Sequence, residues 1–160
     1  MKKKVLPVIV AILLILVIGG CALGKVLLDK YSYSKEEADW NEFYQVSEND
    51  RSAIILQNEM VEEQALIKDG VCYFDLATVH KYLNEVFYAD MTENLLLYAT
   101  PTEVIRTTFG ETAYTTTEGT QEAGYVISFA DGDNVYVAAD YVKLFTNYSY
   151  ECYDRHVQVN

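Results

Sequence analysis

Ala65-Leu66-Ile67-Lys68-Asp69-Gly70-Val71-Cys72-Tyr73-Phe74-Asp75-Leu76-Ala77-Thr78-Val79-His80-Lys81-Tyr82-Leu83 is the stretch on which the fold turns, because a second stretch of the chain follows the same plan. Extended to Tyr98, it lies without a gap over Ile127–Asn160 at an offset of 62 residues. Five positions are identical: Asp69/Asp131, Gly70/Gly132, Ala77/Ala139, Lys81/Lys143 and Tyr88/Tyr150. Each copy reads as strand, Asp-Gly turn, strand, short helix, strand, turn, strand, with Asp-Gly supplying the positive φ angles of a tight hairpin. After the turn, Leu76, Val79, His80 and Leu83 have i, i+3, i+4, i+7 spacing, matched by Ala138, Tyr141, Val142 and Phe145. Helices this short are not stable alone, so each is expected to bury its apolar face on the strands of its own module. The predicted fold is α+β: an N-terminal transmembrane helix, then two pseudo-repeated strand-hairpin/short-helix/strand-hairpin modules with helices over 76–83 and 138–145.

Working outward, the copies continue with strands at Val86–Asp90 and Leu95–Tyr98, and at Tyr148–Cys152 and Val157–Val159. A further strand is expected at Ala53–Leu56 with a turn at Gln57-Asn58-Glu59, and another at Glu103–Phe109. Gly110–Gly124, rich in Thr, Glu and Gly, reads as a loop or frayed hairpin. Residues 52–160 are thus one folded region. Residues 31–51 form an acidic linker in which Ser34 and Glu37 have capping-box spacing and a short helix runs through Trp40 to Tyr44. Trp40, Phe43 and Tyr44 read as docking on the folded part, in preference to stacking on a ligand.

The first thirty residues differ in kind. Lys2, Lys3 and Lys4 precede a charge-free run from Val5 to Gly24, and twenty helical residues span about 30 Å, the thickness of a bilayer's hydrocarbon core. A transmembrane helix over about 5–24 within a signal anchor over 1–30 is expected. The basic flank predicts a single-pass cell-membrane protein with its N-terminus cytoplasmic and its C-terminal domain extracytoplasmic. Ile18-Gly19-Gly20-Cys21 also resembles a bacterial lipobox, so a retained anchor, lipidation at Cys21 and cleavage all stay open.

Composition excludes several functions. The 160 residues carry a formal charge of −12, and the part after residue 30, with seven basic and twenty-three acidic residues, carries −16. A phosphate backbone would be repelled, so nucleic acid is not an expected partner. The 51% apolar content and fourteen Tyr, all after residue 30, are wrong for a disordered acidic tail. Two isolated imidazoles, His80 and His156, do not make a copper or zinc ligand set, and no cofactor is expected. Asp131-Gly132-Asp133-Asn134 lacks the later ligands of a calcium loop and reads as a hairpin turn. Cys72 and Cys152, not equivalent under the repeat, read as small buried apolar residues in preference to a bridged pair. Phosphate loops, nucleophile elbows and dinucleotide fingerprints are absent, and no catalytic residue is assigned. What remains is aromatic surface, and Tyr88 and Tyr150, at the same place in both copies, are the candidate glycan-stacking residues.

Gly70-Val71-Cys72-Tyr73-Phe74-Asp75-Leu76-Ala77-Thr78-Val79, with Leu83, Asp90 and Leu95-Leu96-Leu97, resembles the copper amine oxidase N-terminal-like domain over about residues 52–160. Phe74-Asp75 stands where that family has Val-Pro, and its usual Arg after Leu76 is missing. Together with Leu27-Leu28-Asp29-Lys30-Tyr31 and Asp154-Arg155-His156-Val157-Gln158-Val159, the chain looks like the N-terminal region of membrane-anchored Gram-positive proteins that continue into SH3-like and family 18 glycosidase domains. The resemblance implies a non-catalytic stalk or cell-wall-facing module, with any glycan-hydrolysing residues lying beyond Asn160. The alternative is a lipoprotein-type binding or sensory module for a small ligand or glycan. The partners expected are the membrane, through the N-terminal helix, and cell-wall glycan.

Overall fold

The computed structural model describes residues 24–28, 30–31, 38–46 and 48–160, and the chain divides after Ala38 into two units. In the first, residues 24–28 and 30–31 are helical, and the Lys30 ammonium lies 5.8 Å from the centre of the Tyr31 ring. Apart from Gly24, the run Val5–Gly24, its lysines and Cys21 lie outside the described residues, as does the Ser34–Glu37 capping box. Among the described residues no helix is long and apolar enough to cross a membrane. The expected signal anchor, transmembrane helix and single-pass membrane localisation are corrected accordingly.

The second unit is mostly β. Its elements run α1 (Trp40–Phe43), β1 (Arg51–Leu56), β2 (Glu59–Lys68), β3 (Val71–Asp75), α2 (Leu76–Tyr82), β4 (Phe87–Asp90) and β5 (Leu95–Ala99). There follow β6 (Val104–Thr108), β7 (Ala113–Thr116), β8 (Gly119–Glu122), β9 (Ser128–Asp131), β10 (Asn134–Ala138), α3 (Ala139–Lys143), β11 (Tyr150–Cys152) and β12 (His156–Val159). The twelve strands form a seven-stranded sheet in the order β11-β12-β1-β2-β3-β10-β9 and a five-stranded sheet, β4-β5-β6-β7-β8. Among the described residues only β1 and β12 pair in parallel, Ile54 opposite Val157.

Two self-contained modules do not form, and the α+β architecture expected from the repeat is overturned. The β4–β5 hairpin of the first copy leaves to begin the five-stranded sheet, whereas β11–β12 of the second copy edges the seven-stranded one. Nor does each helix rest on its own strands, since α2 and α3 each pack on both β3 and β10. The register is wrong by one residue as well. Asp69 and Gly70, both at positive φ, form the two-residue loop between Lys68 and Val71, as a type I′ turn requires. In the second hairpin Asp131 still pairs with Asn134, so the loop is Gly132-Asp133, with Gly132 alone at positive φ. The shared Asp-Gly thus occupies different turn positions, and the spatial offset is 63. Asp75 and Ala138 precede the two helices, and Val79 is matched by Val142, both buried. A one-residue slip reverses a strand side chain's face and turns a helical one by about 100°, which is why Leu76/Ala138 and Val79/Tyr141 are not true equivalents.

In this corrected register the two hairpins meet through antiparallel β3 and β10, where Phe74 pairs with Val137, its own counterpart. A local two-fold axis therefore passes between these residues and sets α2 and α3 on one face of the sheet. Phe74, Val137, Val157 and Val159 point to that face and are buried with Val79 and Val142. An aromatic cluster joins α3 to the second sheet. Phe87 of β4 lies 6.2 Å from Tyr141, 5.1 Å from Tyr98 and 5.8 Å from Phe145, and Tyr98 stacks on Phe145 at 4.3 Å. Residues 110–124, expected as a loop or frayed hairpin, supply β7 and β8, paired from Ala113 opposite Glu122 to Thr116 opposite Gly119.

Candidate functional site

On β12, His156 alternates with Val157, so it points away from the helices. The chain that reaches it from the N-terminal side is α1, a single turn held at its start by Asp39, whose Oδ1 accepts from the Asn41 and Glu42 amides at 2.9 and 3.3 Å. Trp40 and Tyr44, four residues apart, share one side of that turn. Tyr44 stacks on the His156 imidazole, with ring centres 4.7 Å apart and planes at 24°. On the other side Tyr153 stacks on the same imidazole, 4.5 Å away at 13°. Trp40 continues the column beyond Tyr44 at 6.0 Å and 24°.

The β11–β12 connection builds the far side. The Tyr153 amide donates to the His156 carbonyl at 2.8 Å, leaving Asp154-Arg155 as the loop, and the Ala53 amide donates to the Arg155 carbonyl at 3.0 Å, tying the loop to β1. The Tyr153 hydroxyl donates to Glu151 Oε2 at 2.6 Å, which pushes its ionisation above that of an ordinary tyrosine. Trp40, Tyr44, Tyr153, Asp154, Arg155 and His156 line a cleft of about 270 Å³. Trp40 and Tyr153 are 54% and 50% exposed, leaving large aromatic surface facing water. Two other clefts of about 300 and 330 Å³ carry no exposed ring stack. Two voids of about 10 Å³ beneath Phe74 are too small for a ligand.

Elsewhere on this face of the sheet the rings are already occupied. Phe129 lies between Tyr73 and Tyr136, at 5.0 and 5.4 Å. The Lys68 ammonium covers Phe129 at 4.2 Å, and Arg51 covers Tyr136 at 5.5 Å while donating to its hydroxyl at 3.2 Å. Tyr73 donates to the Val126 carbonyl at 2.9 Å, and burial raises its ionisation.

Tyr88 and Tyr150 are not brought together. Tyr88 is exposed on β4 of the five-stranded sheet, opposite Leu97. Tyr150 is half-buried on β11, 6.4 Å from Phe74 and with Lys143 5.9 Å from its ring centre. Burial first, then the neighbouring Asp140, raises its ionisation well above the usual range. Their equivalence rested on the 62-residue register; at 63, Tyr88 is matched by Glu151. His80, expected on the apolar face of the first helix, is exposed, with Nε2 2.6 Å from the Phe87 carbonyl. Its surroundings share no residue with those of His156. Among the described residues no group of three or more His, Cys, Asp and Glu side chains could hold a metal ion. Cys21 lies outside the described residues.

Sequence reasoning did not assemble the Trp40, Tyr44, Tyr153 and His156 column. The spacings Trp40 to Tyr44 and Tyr153 to His156 are visible in the sequence, but the contact between segments more than a hundred residues apart is not. No family model matches the chain, and neither does any curated protein or solved structure.

Proposed function

We propose that this chain is a non-catalytic binding module whose aromatic cleft takes the apolar face of a sugar ring in a glycan. The observation that carries this reading is the column Trp40, Tyr44, His156, Tyr153, with two large rings left half exposed at its ends. Flat aromatic faces match the C–H faces of pyranose rings, while Asp154 and Arg155 at the same cleft offer an acceptor and a fork of donors for the hydroxyls. A nucleobase also stacks on such rings, but nucleic acid needs a basic groove, and a chain at −12 with a single arginine in this cleft does not supply one. Glycosidic cleavage uses two carboxyl groups flanking the bond. Asp154 is the one carboxylate lining this cleft, which supports binding without hydrolysis.

Affinity electrophoresis through gels carrying a soluble N-acetylglucosamine polymer tests the reading. Wild-type chain is retarded; Trp40→Ala and Tyr153→Ala each weaken binding about tenfold, ~1.4 kcal/mol, and Tyr88→Ala does not. Wild-type migration unaffected by the polymer, or retardation undiminished in both cleft variants, sinks it.

A further inference from the structure

Cys72 and Cys152 stand on strands separated in the sheet by β12, β1 and β2, and still they share one face of it and one neighbourhood. Phe74 and Cys72 alternate onto the helix-bearing face of β3, and Tyr150 and Cys152 onto the same face of β11. The Phe74 and Tyr150 rings meet edge-on at 6.4 Å. Because the pairings make β11 antiparallel to β3, one pleat further along brings Cys72 opposite Cys152. The curl of the sheet that lets the Phe74 and Tyr150 rings touch also sets the two thiols near enough to shift each other's ionisation. Both cysteines are free; Cys72 is buried and Cys152 exposed. The neighbouring Cys152, then burial, holds the Cys72 proton far more tightly than in an ordinary thiol. Cys72 in turn pulls Cys152 down, against the opposing effects of its burial and of Asp140.

We propose that Cys72 and Cys152 are a redox-active dithiol, in which exposed Cys152 attacks a low-molecular-weight disulfide and buried Cys72 resolves the adduct. In the first step the Cys152 thiolate bonds one sulfur of the external disulfide, whose S–S bond breaks and releases one thiol. In the second the Cys72 sulfur, giving up its proton, bonds Cys152 and displaces the other thiol. Two electrons pass from the cysteine pair to the external disulfide, and the two thiol protons end on the two released thiols. The product ties edge strand β11, three residues long, to the interior strand β3, closing a long loop that constrains the unfolded chain. Successive residues face opposite ways, so Cys152 lies across the sheet from Tyr153 and the dithiol is a site separate from the aromatic cleft.

The full reduced chain, equilibrated in graded mixtures of reduced and oxidised glutathione, alkylated and digested, gives the test. A peptide linking Cys72 to Cys152, the loss of those two thiols while Cys21 remains alkylated, and a higher urea midpoint for the oxidised chain are the expected results. Cys152→Ser, a change at an exposed position, leaves Cys72 unreactive toward oxidised glutathione. Failure of the linked peptide to form at any ratio, a stable glutathione adduct on wild-type Cys152, or undiminished Cys72 oxidation in Cys152→Ser overturns the proposal.

Discussion

Replacing Phe87 by Ala removes the ring that fastens the five-stranded sheet to α3. Phe87 is 1% exposed and is hemmed in by Tyr98, Phe145 and Tyr141, with ring centres between 5.1 and 6.2 Å away. These neighbours lie on β5, on α3 and in the turn that follows α3, and Tyr98 and Phe145 are already stacked on each other, so the space left behind cannot close by one side chain swinging in. The cost therefore falls within the full Phe→Ala range of about 3–5 kcal/mol, transfer and cavity together. The backbone is not the cause, because the Phe87 carbonyl keeps its 2.6 Å contact with His80 Nε2 whatever the side chain. Against a total stability of about 5–15 kcal/mol and a urea dependence of about 1–3 kcal/mol per molar, the unfolding midpoint drops by about 2 M. Tyr88→Ala on the same strand is the control: 58% exposed, it shifts stability by no more than about 0.5 kcal/mol. Urea unfolding followed by circular dichroism reads both. An unchanged midpoint for Phe87→Ala, or equal losses in the two variants, refutes the joining of the sheets through this cluster.

Val79→Ala and Val142→Ala, equivalent about the local two-fold and both buried, each cost about 2 kcal/mol at ~0.8 kcal/mol per methylene-sized group; urea midpoints that differ widely break the 63-residue register. Asp75→Ala strips the N-cap of α2, whose Oδ1 accepts from the Ala77 amide at 2.7 Å, and lowers stability by about 1 kcal/mol in the same assay. Tyr125 is pushed up to about 12, by burial first and then by the Asp140 carboxylate, and Tyr141 is also raised, chiefly by burial. The unfolded chain releases these protons from about pH 10, whereas the folded chain retains them, so folding stability is full below pH 10 and falls as pH rises toward 12. Unfolding midpoints recorded alongside tyrosinate absorbance check this, and a flat profile above pH 10 refutes the burial.

Local structure was more legible than assembly. Ala53–Leu56 and Leu95–Tyr98 lie within β1 and β5, because runs of β-formers bounded by turn residues carry their conformation with them. Asp69-Gly70 was readable as a hairpin for the same reason. What misled was the second Asp-Gly, since Gly can stand at either central position of a two-residue loop, and that freedom alone moved the repeat by one residue. Partner choice among strands was not legible. Nothing in Phe87–Asp90 and Tyr150–Cys152, two short strands after short helices, tells that one starts a new sheet and the other edges the old one. The parallel pairing of β1 with β12 joins residues about a hundred apart, a separation at which sequence periodicity is silent. The cleft was hidden for the same reason. Trp40 and Tyr44 were visible as a docking pair, but the His156 and Tyr153 rings that complete their column come from the opposite end of the unit.

Trp40 is the only tryptophan in the chain and stands at the open end of that column, so its emission reports directly on the cleft. Titration of the full chain with N-acetylglucosamine oligomers of increasing length, followed by Trp40 fluorescence, tests glycan binding where it is placed. A saturable change in emission that weakens about tenfold in Tyr153→Ala and persists in Tyr88→Ala is the result predicted for ring stacking in this cleft. Emission that stays unchanged for every oligomer, or a change of equal affinity in wild type and Tyr153→Ala, contradicts it.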